Sequence, residues 1–187
     1  MRIGLFGGSF DPFHLGHFLI ARTAREMFHL RKVVFLPCAH SPLKKVRPVA
    51  GDRARLAMLR QGLKEQGWAE VSSWEIQKRR ISYTVDTLEA MKKRHPRASF
   101  FWIMGSDQWD LLPSWKEPQI LRKKLRFLVF PRPQSPRSRR GFRMREIPMR
   151  LDISATEVRR RIQKRLPITG LVPPAVETLI RKHRWYR

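Results

Sequence analysis

The sequence predicts an α/β fold in which helices flank a doubly wound, mainly parallel sheet, followed by a small helical part. Three observations predict it. Strand-like apolar runs alternate with helix-like runs over most of the chain. Some of these strand-like runs are apolar throughout, which is typical of parallel strands buried on both faces. Glycine or proline stands at strand ends, at Gly7, Pro37, Gly105 and Pro131. Ligands of such sheets bind outside the carboxyl ends of the strands.

The first third of the chain alternates strand and helix twice. Residues 2–7 form the first predicted strand, and residues 16–28 carry apolar side chains at the spacing of a helix. The apolar run 32–37 predicts the second strand, which ends at a proline. Asp52 is a helix-capping residue type, and the leucines after it recur on one face, so a helix is predicted to residue 64.

The same alternation continues beyond residue 64. Strands are predicted over 69–74, 98–104 and 125–130, with a helix over 84–94 that stops before a proline. The stretch 132–145 is rich in arginine, proline and serine, which predicts a mobile basic loop.

The C-terminal part of the sequence is helical in character. Ser154 and Glu157 have the spacing of a capping box, and apolar residues follow at helical intervals. Two prolines open a last helix that is predicted to run through Lys182. We therefore expect a core over residues 1–150 and a helical part over residues 151–187.

The charge of the chain is extreme. Its 40 Lys and Arg against 15 Asp and Glu give 187 residues a formal net charge of +25. Such a charge predicts attraction to nucleotides, nucleic acid or anionic membrane surfaces, without choosing among them. Cys38, the one cysteine, excludes an intramolecular disulfide and fits a reducing cytosol. No apolar run approaches the length of a membrane span, so the expected location is cytoplasmic.

Residues 7–17, GGSFDPFHLGH, join the first strand to the first helix. Two glycines allow backbone N–H groups to approach an anion, and the positive end of the helix points at the same place. His14 and His17 are three positions apart and share a helix face there. A metal pair is the less favoured interpretation, because no third ligand type is clustered nearby. The stretch therefore predicts a phosphate site.

Four other places carry polar groups at predicted strand ends or helix starts. Each also has a plain structural interpretation, as a solvated loop or a helix cap. Two helix starts suited to phosphate, with an acid at a third strand end, together indicate a nucleotide with a polyphosphate. The four places are residues 37–45, 82–87, 105–109 with Trp115 beyond, and 153–159.

Residues 7–17 resemble the GGSFDPxHxGH signature of the nucleotidyltransferase superfamily. The other four places follow in the order seen in bacterial nicotinate mononucleotide adenylyltransferases, with SYTxDT at 82–87 and ISxTxxR at 153–159. The resemblance covers nearly the whole chain and implies a Rossmann-like sheet. One departure is Leu43, where many relatives have histidine; if that histidine helps to bind phosphate, Lys44 or Lys45 must replace it.

The resemblance implies adenylyl transfer from ATP to nicotinate mononucleotide, giving deamido-NAD and pyrophosphate in NAD biosynthesis. It implies catalytic roles for His14, His17, Lys44 and Arg159, with either histidine neutral or protonated. The implied mononucleotide-binding residues are Ser9, Lys44, Tyr83, Thr84 and Trp115. The implied ATP-binding residues, completed by the helical part 151–187, are Gly7, Gly8, Ser9, Phe10, His14, His17, Gly105, Asp107, Arg132, Ile153, Ser154, Thr156 and Arg159. Mg²⁺ is expected to bridge the ATP phosphates without ligands from protein side chains.

Two alternatives stay open at this point. The first is an adenylyltransferase for nicotinamide mononucleotide or another phosphate ester. The second is a basic nucleic-acid-binding protein. Against the second, the basic residues are spread through the chain and no familiar nucleic-acid-binding module occurs. We expect no specific nucleic acid and no membrane as partners, and the sequence leaves a homo-oligomer open.

Overall fold

The structure, a computed structural model, describes residues 1–40, 47–78, 81–132 and 134–187. Within these ranges the sheet has six strands in the order β3-β2-β1-β4-β5-β6, and each neighbouring pair is parallel. The strands are β1 (Arg2–Gly8), β2 (Lys32–Pro37), β3 (Ala69–Val71), β4 (Ser99–Gly105), β5 (Arg126–Phe130) and β6 (Met144–Glu146).

Helices lie in the crossover segments from β1 to β2, β2 to β3, β3 to β4 and β4 to β5, whereas the described part of the segment between β5 and β6 has none, and the last two helices follow β6. The helices are α1 (Leu15–Met27), α2 (Asp52–Gly62), α3 (Trp74–Gln77), α4 (Thr84–Arg94), α5 (Ser106–Asp110), α6 (Pro118–Lys124), α7 (Ala155–Gln163) and α8 (Pro174–His183), with a 3₁₀ turn at Leu112–Ser114. Two of the starts have a clear local cause. Ser154 caps α7 by accepting the N–H of Glu157 at 3.1 Å, and proline opens α8 at its first position.

Both faces of the sheet are covered. On one face Phe6 and Phe35 pack in a core with α1, α2, α7 and α8. On the other face Ile3 and Leu5 pack with α4, α5 and α6. Alternate residues of β1 therefore point into opposite cores, as the period of a strand requires. The predicted α/β fold, doubly wound and parallel, is confirmed.

The helical part after residue 150 shares the first of these cores. Val158 of α7 and Val176 of α8 lie in the same buried cluster as Met58 of α2. The division into residues 1–150 and 151–187 stays a prediction.

Several elements differ from the predictions. The strand predicted over 69–74 ends at Val71, and Trp74 instead begins α3. Part of the predicted basic loop forms β6, which pairs with β5. The helices α5 and α6 were not predicted. These elements have three to seven residues, so they are too short for an apolar period to show.

In the described part of the chain, no helix has both the length and the apolar character needed to cross a membrane. In the sheet, β2 lies on one side of β1 and β4 lies on the other side. The carboxyl ends of β1 and β4 therefore border the crevice where the strand order reverses, which is where sheets of this kind bind ligands.

Candidate active site

A cavity of about 460 Å³ lies at this crevice. It is lined by residues from the ends of β1 and β4, from α1, α4 and α7, and from the segments that join them. The predicted site residues that line it are Gly7, Gly8, Ser9, Phe10, His14, His17, Tyr83, Thr84, Gly105, Asp107, Trp115, Arg132, Thr156 and Arg159. Lys44 lies outside the described residues, and Ile153 and Ser154 are not among the lining residues.

The two histidines form a stacked pair at the start of α1. Their ring centroids are 3.6 Å apart, with 24° between the ring planes. The backbone N–H of His14 donates to Nδ1 of His17, and the N–H of His17 donates to Nδ1 of His14, both at 3.3 Å. Because each Nδ1 accepts a hydrogen bond, a neutral ring carries its proton on Nε2. Both rings therefore have an N–H donor on Nε2.

The protonation state of His14 follows from its surroundings. Burial, with the positive charge of Arg132 as a smaller cause, lowers the pKa of His14 from 6.5 to about 3. His14 is thus neutral near pH 7 in the free protein. The sequence left a neutral or a protonated donor open, and the structure favours the neutral one for His14.

Aromatic rings hold His17 in place. Its ring stacks on Phe13, with centroids 5.9 Å apart and 10° between the planes. The rings of Phe10 and Phe6 meet it at 4.9 and 6.0 Å in edge contacts. These contacts fix the direction of the imidazole before any ligand binds.

The turn between β1 and α1 is held by close packing and by a buried arginine. A Cβ on Gly7 would lie 2.8 Å from the Trp102 ring of β4, so only glycine fits. Arg55 of α2, which is 0% exposed, donates to the carbonyl oxygens of Ser9 at 2.7 Å and Cys38 at 2.8 Å. The ends of β1 and β2 are thereby fixed to each other through one guanidinium group.

Asp11 joins three further segments to this turn. Its carboxylate accepts the N–H groups of Val49 and Ala50 at 2.6 and 3.0 Å, and the hydroxyl of Tyr186 at 2.7 Å. Arg159 donates to the carbonyl oxygen of Asp11 at 2.6 Å. Sequence reasoning gave Asp11 no role although it stands inside the signature.

Arg55 and Tyr186 were also missed. Among the many arginines of the sequence nothing distinguishes Arg55, because its burial arises only when α2 packs against two strand ends. Tyr186 is one of only two tyrosines, which is a faint signal that its hydroxyl has a partner.

At the carboxyl end of β4, Ser106 connects two loops. Its hydroxyl accepts the N–H of Arg132 at 2.7 Å and lies 2.7 Å from the carbonyl oxygen of Gln134. The exposed Asp107 follows in the first turn of α5, and a Cβ on Gly105 would collide with its carboxylate. The glycine and the acid of the predicted ribose site thus belong to one close local arrangement.

The start of α7 brings Arg159 to the cavity. Its guanidinium is hydrogen-bonded to Thr156 Oγ1 at 3.3 Å as well as to Asp11. Ser154 caps the helix, whereas the Glu157 carboxylate bonds Arg160, so only half of the predicted capping box forms. The α7 side of the cavity is therefore formed mainly by Thr156 and Arg159.

The far side of the cavity is aromatic. Trp115 meets Trp102 edge to face with centroids 6.1 Å apart, and Lys116 Nζ lies 4.9 Å from the centre of the Tyr83 ring. The buried Glu75 accepts the hydroxyl of Thr87 at 2.6 Å, and burial, the largest cause, raises the pKa of its carboxyl. Sequence reasoning missed Glu75 and Lys116.

The charged groups offer little to a metal ion. Among the described residues no group of three or more His, Cys, Asp or Glu side chains could hold one. Three carboxylates of the described residues line the cavity: Asp11 is occupied by the hydrogen-bond donors described above, Glu75 accepts the Thr87 hydroxyl, and Asp107 is exposed.

Comparison with known proteins finds relatives that match nearly the whole chain. The model of the cytidylyltransferase-like family matches residues 5–161. A relative from Methylacidiphilum infernorum is 41% identical, over 99% of this chain and 92% of the relative. One from Thermus thermophilus is 38% identical, over 100% of both chains. Both carry the name "Probable nicotinate-nucleotide adenylyltransferase".

Solved structures share the fold. The Plasmodium falciparum nicotinic acid mononucleotide adenylyltransferase complexed with NaAD matches with a TM-score of 0.80 at 20% identity. That match covers 99% of this chain and 97% of the other. The fold and the full-length relatives lead to one assignment: the chain belongs to the cytidylyltransferase-like family and, within it, to the nicotinate-nucleotide adenylyltransferases.

Proposed function

We propose that the protein transfers the adenylyl group of ATP to the phosphate of nicotinate mononucleotide, forming deamido-NAD and pyrophosphate. One observation carries the proposal: a single cavity joins the histidine pair and phosphate-type turn to the aromatic wall of Tyr83 and Trp115. Both substrates are nucleotides, and the names of the full-length relatives support this pairing. The lone cysteine supports a cytoplasmic location.

The reaction needs no general base. A phosphate monoester has its second pKa near ~6, so the mononucleotide phosphate is already an anion at neutral pH. One of its oxygens forms a bond to the α-phosphorus of ATP, while the bond from that phosphorus to the oxygen of the β-phosphate breaks. Catalysis then depends on alignment and on stabilising negative charge.

The side chains divide this work between them. His14 and His17 donate from Nε2 to oxygens of the transferring phosphoryl group, and a neutral His14 can donate without first gaining a proton. Phosphate charge is neutralised by Arg132 and Arg159, and also by Lys44, which lies outside the described residues.

The two nucleosides are held at opposite ends of the cavity. Gly105 and Asp107 hold the adenosine ribose, because a carboxylate can accept from two neighbouring hydroxyls. Trp115 stacks on the pyridine ring, and the segment of Tyr83 and Thr84 bonds the nicotinate carboxylate.

A divalent ion, for which we propose Mg²⁺, accompanies ATP. We expect it to be held by phosphate oxygens and water rather than by protein side chains, because no group of three or more His, Cys, Asp or Glu side chains among the described residues could hold a metal ion. When bound, the ion neutralises charge on the polyphosphate.

A pyrophosphate-release assay tests the proposal. With ATP and Mg²⁺, nicotinate mononucleotide should support turnover with a higher kcat/KM than nicotinamide mononucleotide or phosphopantetheine. A higher kcat/KM with either of the other acceptors would overturn the assignment of the substrate, and no release with any acceptor would overturn the reaction. His17→Ala is the control for contaminating activity, because losing one transition-state donor should lower kcat by about 10²-fold or more.

A further inference from the structure

Asp11 receives hydrogen bonds from three segments that are far apart in the sequence. Val49 and Ala50 precede α2, Arg159 lies in α7, and Tyr186 follows α8. Asp11 is only 5% exposed, so losing one of its hydrogen-bond partners is costly. The position of its carboxylate therefore depends on the N–H groups of Val49 and Ala50 and on the Tyr186 hydroxyl, while Arg159 bonds its backbone carbonyl oxygen.

Two of these three segments reach the cavity and one does not. Val49 and Arg159 line the cavity, as does Asp11 itself, whereas Tyr186 is not among the lining residues. Tyr186 is 7% exposed, and its hydroxyl lies against Asp11 Oδ1 and 3.9 Å from Met58 Sδ. Any effect of Tyr186 on substrates must pass through a neighbour.

The direction of the hydrogen bond between Tyr186 and Asp11 is clear. Burial first, then the negative charge of Asp11, raises the pKa of the Tyr186 phenol, so the phenol keeps its proton and donates. Without the Tyr186 hydroxyl, the remaining described donor to Asp11 Oδ1 is the N–H of Ala50, 3.0 Å away. A buried carboxylate that loses a donor shifts or rotates to recover one.

A shift of Asp11 would move charge at the phosphate site. The Arg159 guanidinium bonds the carbonyl oxygen of Asp11 at 2.6 Å and lies 4.0 Å from its carboxylate. The segment beginning at Arg47, which also lines the cavity, is attached to the same carboxylate through Val49 and Ala50. When reacting groups are displaced by less than the diameter of an atom, the rate of the reaction falls many-fold.

We propose that Tyr186 is a positioning residue for adenylyl transfer, which acts through Asp11 to fix Arg159 and the 47–50 segment around the polyphosphate. This inference rests on the proposed function. It predicts a loss of kcat that depends on Arg159, whereas a purely structural hydroxyl would change stability alone.

A double-mutant cycle between Tyr186→Phe and Arg159→Ala tests the proposal. Phenylalanine keeps the ring that packs in the core and removes only the hydroxyl. We expect Tyr186→Phe to lower kcat about tenfold, with the KM for nicotinate mononucleotide changed less than about twofold. In the Arg159→Ala background the same change should lower kcat by less than about twofold.

Ile180→Val is the matched control for stability. Ile180 is buried in α8, in the same core as Tyr186, and has no hydrogen bond to Asp11. This variant should lower the Tm while kcat stays within about twofold of wild type. A kcat loss in Ile180→Val as large as that in Tyr186→Phe at equal Tm would overturn the positioning role.

The remaining outcomes separate this inference from the proposed function. A wild-type protein that releases no pyrophosphate contradicts the proposed function. An active wild type with an unchanged kcat in Tyr186→Phe, or with the full tenfold loss repeated in the Arg159→Ala background, contradicts only the positioning role.

Discussion

At the scale of single residues, the imidazole of His14 both caps a helix and is buried. Its Nδ1 caps α1 by accepting the N–H of His17, and its burial disfavours the charged ring. A charged His14 would carry a proton on Nδ1 and could no longer accept that hydrogen bond. Capping and burial therefore both favour the neutral state that the proposed phosphate donor uses.

His14 should make the stability of the protein depend on pH. The unfolded chain binds a proton at His14 below pH 6.5, and the folded protein does so only near pH 3. Stability from His14 is thus complete above pH 6.5 and falls as the pH drops towards 3, by about 1.4 kcal/mol per pH unit. His14→Asn keeps a capping acceptor that does not titrate. Between pH 7 and 5, wild type should lose about 2 kcal/mol more than His14→Asn in urea unfolding.

His29→Asn is the control for this prediction. His29 is an exposed histidine, and this variant tests whether the same substitution at any histidine changes the pH dependence as His14→Asn does. If the free energies of unfolding of wild type and His14→Asn fell equally between pH 7 and 5, His14 would gain its proton at the same pH in the folded and unfolded protein. That result would contradict the prediction.

The sequence was informative about residues whose role is local. The phosphate-type turn, the histidine pair and the Ser154 cap could all be predicted, because glycine freedom, helix spacing and capping act within a few positions. Asp11, Arg55 and Glu75 could not be predicted in this way. Their partners lie far along the chain, and a polar side chain gives no sign in the sequence that it will be buried.

At the scale of elements, length decided what could be predicted. Strands β1, β2, β4 and β5 have five to seven residues and strong apolar patterns, and each was predicted within about two residues of its bounds. The missed β6 has three residues, two of them charged and exposed, as suits the edge of a sheet. It exists because Met144 pairs with Phe127, a contact that no local pattern encodes.

The ends of β4 and β5 should depend on one hydroxyl. Ser106 is buried and joins the start of α5 to the segment after β5 through Arg132 and Gln134. Ser106→Ala removes the hydroxyl that accepts from the Arg132 N–H and donates to the carbonyl oxygen of Gln134, and the Arg132 N–H keeps only the Gln134 oxygen, 3.2 Å away. We therefore expect a loss of about 1–2 kcal/mol in the free energy of unfolding. Because Arg132 lines the cavity, the KM for ATP should rise more than the KM for the mononucleotide.

The control for Ser106→Ala is Ser114→Ala. The Ser114 hydroxyl also donates to a backbone carbonyl, that of Leu111 at 2.7 Å, but it is exposed and water can replace it. Denaturant unfolding of the two variants should therefore separate them. Equal stability losses would show that the connection between the two loops is not what makes Ser106 important.

At the scale of the whole molecule, the strand order explains how residues from the entire sequence meet. The reversal between β1 and β4 places residues 7–17 and 105–107 beside one cavity, and α7 packs on the α1 face to bring Arg159 to the same place. Alternation of strands and helices predicted this edge of the sheet as the site. The hydrogen bond from Arg159 of α7 to Asp11 in the turn between β1 and α1 emerges only from the packed structure.

We expect the net charge of +25 to make the protein bind polyanions without specificity. The 137–145 segment presents positive charge to solvent through the exposed Arg137, Arg140, Arg143 and Arg145. The sequence contains no familiar nucleic-acid-binding module that would read bases. Anisotropy with two 20-nucleotide RNAs of unrelated sequence should give equal affinities. The logarithm of each binding constant should fall linearly with the logarithm of salt concentration, and binding should vanish by about 0.2 M salt. A sequence preference of tenfold or more that persists at this salt concentration would mean that the charge forms a specific nucleic-acid site.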